Sequence, residues 1–147
     1  MAEQSFKNHS RYITFYHFVA PTLILALIVG SGIGLFHACR DCSNHASLHN
    51  AMLFFVTSIV LLLLWWYCRA FALRAQDRAI RAEENLRHFI LTGKALDKRL
   101  RMSQIIALRF ASDAEFPALA SQAAETGMKA NEIKQAIKNW RPDYNRV

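Results

Sequence analysis

The residues best suited to chemistry are two cysteines and two histidines that lie between two apolar runs: Cys39, Cys42, His45 and His49. Thiolates and imidazole nitrogens are common protein ligands of zinc. Known sites of this composition separate the cysteine pair from the histidine pair by a long gap, whereas here all four would have to converge within 11 residues. We therefore predict no metal, and these four residues are the ligands that a metal would use.

Other chemistry is open to the same cysteines. A disulfide between Cys39 and Cys42 suits an oxidising compartment. A c-type haem needs a histidine directly after the second cysteine, where this chain has Ser43, and a thioredoxin-like pair needs a βαβ setting that the sequence lacks. Free thiols, a disulfide, a metal and another redox role remain as alternatives, and no cofactor is predicted.

His17 and His37 also lie in the first apolar run, with His17 only about one turn from the expected membrane interface. An ionisable residue inside a membrane is a functional candidate. No acidic residue falls in either run, so a proton relay or cation pathway would have no lining. We expect a neutral His17 hydrogen-bonded to a neighbouring helix, no catalytic residue and no small-molecule substrate.

Two apolar runs must position these groups. The first, 13–38, has 26 residues without Asp, Glu, Lys or Arg, and the second, 51–68, has 18. About 20 residues of helix cross ~30 Å of hydrocarbon, and the shorter run ends in the aromatic residues Trp65, Trp66 and Tyr67, which are typical of membrane interfaces. The sequence predicts two transmembrane helices, even though the mean hydropathy of all 147 residues is only +0.09.

Positively charged residues near the ends of the runs predict the orientation. Lys7 and Arg11 precede the first run, and only Arg40 lies between the runs. Four arginines follow the second run: Arg69, Arg74, Arg78 and Arg81. We expect segment 1–12 and the C-terminal half in the cytoplasm and the connector 39–50 outside. Arg69, Arg74 and Arg78 are expected to attract anionic lipid headgroups, at up to about 1 kcal/mol per charge.

Small residues predict where the first helix packs. Gly30 and Gly34 are four residues apart, a spacing that allows a second helix to approach closely in lipid, either the second span or another copy. Pro21 removes one backbone hydrogen bond and is expected to kink the helix.

The second helix is expected to continue through 69–92, which contains no Pro or Gly. Its apolar residues recur with spacings of three and four, the pattern of a coiled coil. This apolar stripe consists of Ala72, Ala75, Ala79, Ala82, Leu86 and Phe89. We predict that it packs against another helix, and that Glu83 pairs with Arg87 one turn later.

Residues 93–147 predict a small helical module after Thr92-Gly93 ends the long helix. Three helices are expected, at 103–111, 112–126 and 130–139, the second opening with a capping box from Ser112 to Glu115. Ile133, Ala136, Ile137 and Trp140 form the apolar face of the last. So small a module has a marginal core, which the apolar stripe or a second copy would complete. The predicted fold class is all-α: a transmembrane helical hairpin whose second span continues as a long cytoplasmic helix, followed by a small bundle of short helices.

The C-terminal half is basic, with 15 Lys and Arg against 9 Asp and Glu in 69–147. Short helices with tight turns allow a helix-turn-helix interpretation, with Lys129, Lys134 and Lys138 on an exposed face. No Arg or Asn cluster is placed for base recognition, so nucleic-acid binding is the least favoured alternative.

Three stretches resemble a family of small bacterial two-span membrane proteins of unknown function: 76–84, 104–113 and 133–140, the last followed by Pro142-Asp143 and Arg146-Val147. The resemblance covers nearly the whole chain and implies the two-span plan of these bacterial membrane proteins, but no activity. The cysteine and histidine connector is not part of it.

The sequence therefore favours a non-enzymatic inner-membrane protein that acts as an oligomeric scaffold or as an accessory subunit of a larger membrane complex. The alternative is a small oligomeric channel lined by the second span, whose apolar face predicts at best a hydrophobic gate. A membrane-tethered nucleic-acid-binding module is the second alternative.

Overall fold

The computed structural model describes Phe6, residues 12–40 and residues 45–143. It has two compact units, one covering Tyr12–Phe71 and one whose main part begins at Ala72. Five α-helices and a short π-helix account for the regular structure of the described residues. The predicted all-α fold, with a long second helix followed by short helices, is confirmed.

The first unit contains the π-helix Phe15–Val19, helix α1 (Ala20–Arg40) and the first part of helix α2 (His45–Thr92). A π-helical turn lies just before Pro21, which cannot donate a backbone hydrogen bond, and the predicted kink at Pro21 stays a prediction. Both long helices are apolar enough to cross a membrane by length and composition, each with a mean hydropathy of 2.2 in its most apolar window. Both also extend into the predicted connector 39–50, since α1 ends at Arg40 and α2 begins at His45.

Small and polar side chains hold α1 against α2 in this unit. The hydroxyl oxygens of Ser31 and Ser58 lie 3.3 Å apart, and Ser58 is fully buried. A Cβ atom on Gly32 would lie 3.6 Å from the ring of Phe55, so α2 passes close to this glycine. Two serine hydroxyls that are hydrogen-bonded to each other can be buried between apolar helices at little cost in free energy.

Aromatic residues join the opposite end of the hairpin. The rings of Tyr16 and Trp65 stack with their centroids 5.5 Å apart. The Tyr16 hydroxyl donates to the Trp65 carbonyl, and the Trp65 indole donates to the Tyr16 carbonyl. Arg69 lies over the Tyr16 ring at 5.8 Å. These contacts place one end of the hairpin in a fixed register.

The second unit begins with the later part of α2 and continues with α3 (Met102–Leu108), α4 (Phe116–Thr126) and α5 (Ala130–Ala136). Helix α2 ends as predicted, with Gly93 at a φ of +72° and its amide 2.7 Å from the Phe89 carbonyl. Gly127, at a φ of +69°, ends α4 in the same left-handed conformation. Glycine adopts this conformation without steric cost, which explains both helix ends.

The predicted helix ends around 111 and 139 were wrong. Ala111 and Trp140 form an antiparallel bridge, in which the Ser112 amide donates to the Asn139 carbonyl at 3.1 Å and the Arg141 amide donates to the Phe110 carbonyl at 2.8 Å. Extended backbone at these positions ends α3 and α5 early. Neither segment has the length or the alternation that would have predicted a strand.

The core of this unit is formed by all three short helices and one residue of α2. Its fully buried large side chains are Ile105, Leu108, Phe110, Phe116 and Ile133. Ile137 is also buried and Trp140 packs against the cluster, as the predicted face of the last helix requires, whereas Ala136 is exposed. The contribution of α2 is Ile80, which is 7% exposed.

A buried amide connects two of the short helices. Gln104 is 3% exposed, its side-chain oxygen accepts the Arg101 amide at 2.7 Å, and its side-chain nitrogen donates to the Met128 carbonyl at 2.8 Å. The first bond completes the amino-terminal turn of α3. The second ties α3 to the turn between α4 and α5, so a polar residue serves a structural role inside the core.

Candidate functional site

One arginine joins α2 to the short helices. The Arg87 guanidinium donates to Glu84 at 3.0 Å, to Asp113 at 2.7 Å and to the Ala111 carbonyl at 2.7 Å, and it lies 4.5 Å from the centre of the Phe116 ring. Glu84 is only 6% exposed. Because a buried carboxylate needs a paired charge and hydrogen bonds, this Arg87 cluster holds the module against one side of α2. The predicted Glu83–Arg87 pair is wrong, because the Arg87 guanidinium pairs with Glu84 instead.

A second buried arginine lies beside this cluster. Arg109 is 6% exposed, makes an ion pair with Asp143 at 3.3 Å and lies 4.7 Å from the centre of the Phe110 ring. A cleft of about 420 Å³ opens here, lined by Gln76, Ala79, Ile80, Glu83, Glu84, Arg109, Arg141, Pro142 and Asp143. Both acidic and basic groups line it, which makes it a mixed-charge cleft rather than a pocket for an anion or a cation alone.

Glu115 holds the end of α5. Its carboxylate accepts the Lys138 amide, the Asn139 amide and the Asn139 side-chain amide at 3.0, 3.0 and 2.7 Å. Partial burial works to raise the pKa of Glu115, but these hydrogen bonds outweigh it and lower the pKa below 4.5. The predicted capping box is wrong, because α4 begins at Phe116 and Glu115 caps another segment.

The apolar stripe lies outside the core contact of α2 with the module, although Ala79 lines the cleft beside Arg109. The module covers Ile80 and Glu84, and at 3.6 residues per turn Ala82 and Phe89 lie about 160° and 180° around the helix from Ile80. Leu86 and Phe89 are 59% and 55% exposed, and Ile90 beside them is 72% exposed. The expectation that the stripe completes the core of the module is therefore wrong; its packing against another helix stays a prediction.

Two charges border the apolar stripe. Arg78 and Glu83 are both exposed, one on each side of it, and neither makes an ion pair within the described part of the chain. Arg87 would have been the partner of Glu83 along the helix, but it is occupied by Glu84 and Asp113. The stripe is thus an apolar surface with a base on one edge and an acid on the other.

The predicted glycine pair does not contact α2. A Cβ atom on Gly30 or Gly34 would meet nothing within 4 Å, whereas one on Gly32 would meet Phe55. The two glycines instead line an open groove of about 900 Å³ between the helices, with Leu27, Ser31, Ala46, Ser47, Asn50, Ala51 and Phe54. Close packing of Gly30 and Gly34 against the second span is wrong, and packing against another copy stays a prediction.

The connector residues are only partly described. Cys39 lies in the last turn of α1, and His45 and His49 lie on the first turns of α2, where all three are exposed. Cys42 lies outside the described residues, so the disulfide and the four-ligand site stay untested. Within residues 12–40 and 45–143, no three His, Cys, Asp or Glu side chains are grouped to hold a metal ion. Cys68, at the other end of the hairpin, is an exposed thiol.

The basic residues divide between the two units. Arg69 belongs to the first and contacts Tyr16, while Arg74 and Arg78 are exposed in the second.

The three lysines of the helix-turn-helix interpretation do not form one face: Lys129 precedes α5, Lys134 lies over the Phe110 ring at 5.8 Å, and Lys138 follows the end of the helix. A helix of 7 residues is short for reading a DNA groove.

Sequence reasoning missed Arg87, Arg109 and Gln104 as organising residues. The sequence does contain a pattern that could have indicated Arg87, because Ile80, Glu84 and Arg87 have the spacing of one helix face. The apolar stripe is the more regular pattern, so the sequence predicts packing on the stripe instead.

Comparison with known proteins adds one result. No curated protein and no solved structure matches the chain. One family model does match, and it spans residues 1–147. The resemblance to an uncharacterised family is thereby confirmed, and the chain belongs to the family of unknown function DUF6526.

Proposed function

We propose that this chain is a non-enzymatic, two-span protein of the bacterial inner membrane, with both termini in the cytoplasm, that acts as an oligomeric scaffold or as an accessory subunit of a larger membrane complex. The observation that carries the proposal is the apolar stripe, which remains exposed while the module covers Ile80 and Glu84 of the same helix. Large apolar side chains exposed together in one surface usually mark a site of protein association.

The polar groups of the second unit support the same function. Arg87 is bonded to three neighbours, and Glu115 uses its carboxylate to hold the backbone at Lys138 and Asn139. These groups join the short helices to one another and to α2. They build a rigid body beside the exposed stripe, which is what a scaffold needs in order to present a surface.

Native mass spectrometry of the full chain in mild detergent tests the association. We expect a homo-oligomer or a stable complex with a second protein. A monomer that carries no partner, at concentrations near those of expression, would contradict the proposal.

Reporter fusions test the topology. Green fluorescent protein fused after Val147 should fluoresce, and alkaline phosphatase inserted in the connector should be active, because basic residues flank both runs on the side of the termini. The reverse pattern would overturn the orientation without affecting the association.

The channel and nucleic-acid interpretations stay predictions. Conductance in planar bilayers tests the first. Salt-dependent DNA binding tests the second, because each phosphate contact contributes to the salt slope.

A further inference from the structure

We infer that the apolar stripe pairs with the same stripe of a second copy as a short, parallel, in-register coiled coil. This rests on the proposed function and names the partner and its geometry. The stripe residues occupy alternating positions of a heptad repeat, with Ala72, Ala79 and Leu86 at one position (a) and Ala75, Ala82 and Phe89 at the other (d). The structure leaves both sets uncovered apart from Ala72, which is half-buried.

Charge complementarity selects a second copy in parallel. In the same repeat Arg78 occupies the position before a (g), and Glu83 occupies the position after d (e). In a parallel pair, residue g of one helix faces residue e of the partner five positions later. Arg78 therefore faces Glu83 of the other copy, and symmetry provides the contact twice.

The antiparallel arrangement offers no such match. It brings g opposite g and e opposite e. The other g position of the second unit is Asn85, and the other e positions are Gln76 and Ile90. Neither Arg78 nor Glu83 would then meet a group of opposite charge.

Five of the six stripe residues, all but Ala72, remain exposed beside the module. The module covers Ile80, Glu84 and Arg87, which lie at the outward positions b and f of the repeat. A second copy on the stripe would therefore leave the Arg87 cluster in place. Alanine at the central positions allows the two helix axes to lie close together, and Leu86 and Phe89 supply most of the buried apolar area.

The length of the stripe explains why membrane anchors matter. It spans 18 residues from Ala72 to Phe89, which is less than the three to four heptads of a self-sufficient coiled coil. Two anchored copies confined to one membrane have a raised effective concentration. Because both enter the cytoplasm with the same end of the helix first, the anchors also favour a parallel pair.

Disulfide trapping in the full-length chain tests the geometry. The native cysteines are replaced by serine (Cys39→Ser, Cys42→Ser, Cys68→Ser), and Ala79→Cys or Ala82→Cys is added. The protein is reconstituted in vesicles of phosphatidylethanolamine and phosphatidylglycerol and oxidised with copper phenanthroline. We expect efficient covalent dimers at both positions, because facing a and d residues lie within reach of a disulfide. Arg81→Cys, on an exposed position outside the stripe, is the matched control and should stay largely monomeric.

Charge exchange tests the register. Arg78→Glu and Glu83→Arg each place like charges opposite one another and should weaken self-association by about tenfold. An equimolar mixture of the two variants should recover it as a heterodimer, since each new charge then faces its opposite. Arg81→Glu makes the same change of charge away from the stripe and should have little effect.

The outcomes separate the two proposals. One contradicting outcome is self-association in native mass spectra together with equal trapping at positions 79 and 81. Another is a mixture of charge variants that associates no more tightly than each variant alone. Either result overturns the coiled coil and leaves the scaffold proposal intact. A strict monomer without any partner overturns both. Preferential trapping at 79 and 82 together with recovery in the mixture supports the inference.

Discussion

The carboxylate of Glu115 accepts both the backbone amide and the side-chain amide of Asn139, at 3.0 and 2.7 Å, across 24 residues of sequence. A third bond comes from the amide of Lys138. One side chain at the start of α4 thereby satisfies the backbone just after α5, where the helix has ended and its next amides need acceptors. The same residue had been predicted to cap its own helix.

This relationship predicts an acid-dependent stability. The hydrogen bonds lower the pKa of Glu115 in the folded state below its unfolded value of 4.5. Their contribution to stability is therefore present above pH 4.5, and it is lost as the pH falls through the lowered pKa. Glu115→Ala should lower the free energy of unfolding by about 1–2 kcal/mol at neutral pH. Thermal unfolding of the full chain in detergent, followed by circular dichroism, measures the effect.

A matched comparison isolates Glu115 from other carboxylates. Glu115→Gln keeps an acceptor but cannot titrate, so its stability should fall less than that of the wild type as the pH is lowered from 7 to below the lowered pKa of Glu115. Asp97 adds its own acid dependence in both proteins, because its hydrogen bond to Arg99 lowers its pKa to about 2. Parallel stability curves for the two proteins would contradict the role assigned to Glu115.

Removing Arg87 should detach the module from α2. Arg87→Ala leaves Glu84 buried without its charge partner, and we expect a loss of about 3 kcal/mol. Arg87→Lys keeps the charge but loses the planar contact with Phe116, and it should cost less. Hydrogen exchange of peptides from α3 and α4 in the full chain reports the loss. Arg81→Ala, an exposed arginine of the same helix, is the control, and an equal effect of both alanine variants would refute the assignment.

Ile133 should be among the most sensitive core residues. It is the fully buried residue of α5, and truncating a buried isoleucine to alanine costs about 2–5 kcal/mol. Because the module is small, a loss of that size should unfold it at ambient temperature. Near-ultraviolet circular dichroism of Ile133→Ala should show lost aromatic signals, while Gln135→Ala, exposed on the same helix, should retain them. Retained signals in both variants would contradict the core described above.

Substitutions at Gly32 and Gly34 of α1 should differ in their effect on the stability of the hairpin. Gly32→Leu should disturb the hairpin, because the new side chain meets Phe55. Gly34→Leu should leave the hairpin intact, since nothing lies within 4 Å of its Cβ position. If another copy fills the groove at Gly34, this variant should reduce the oligomer fraction in native mass spectra. Thermal unfolding measures the hairpin, and equal stability of the two variants would argue against the packing described at Gly32.

The pattern of apolar residues was enough to predict the long elements. Runs of 26 and 18 uncharged residues, followed by a stretch without Pro or Gly, predicted two long helices and the continuation of the second to Thr92. Gly93 and Gly127 marked helix ends correctly. These features depend on local propensity and periodicity, which the sequence carries without reference to distant contacts.

Only the tertiary structure decided which sides of the helices meet. The sequence marked the regular stripe of Ala72 to Phe89 as a packing surface, but the module packs on Ile80, Glu84 and Arg87. It marked Gly30 and Gly34, but α2 passes Gly32. It placed Glu115 in a local cap, but the carboxylate binds Asn139. Each of these outcomes depends on contacts between residues far apart in the sequence, such as Glu115 and Asn139, and these contacts exist only in the folded chain.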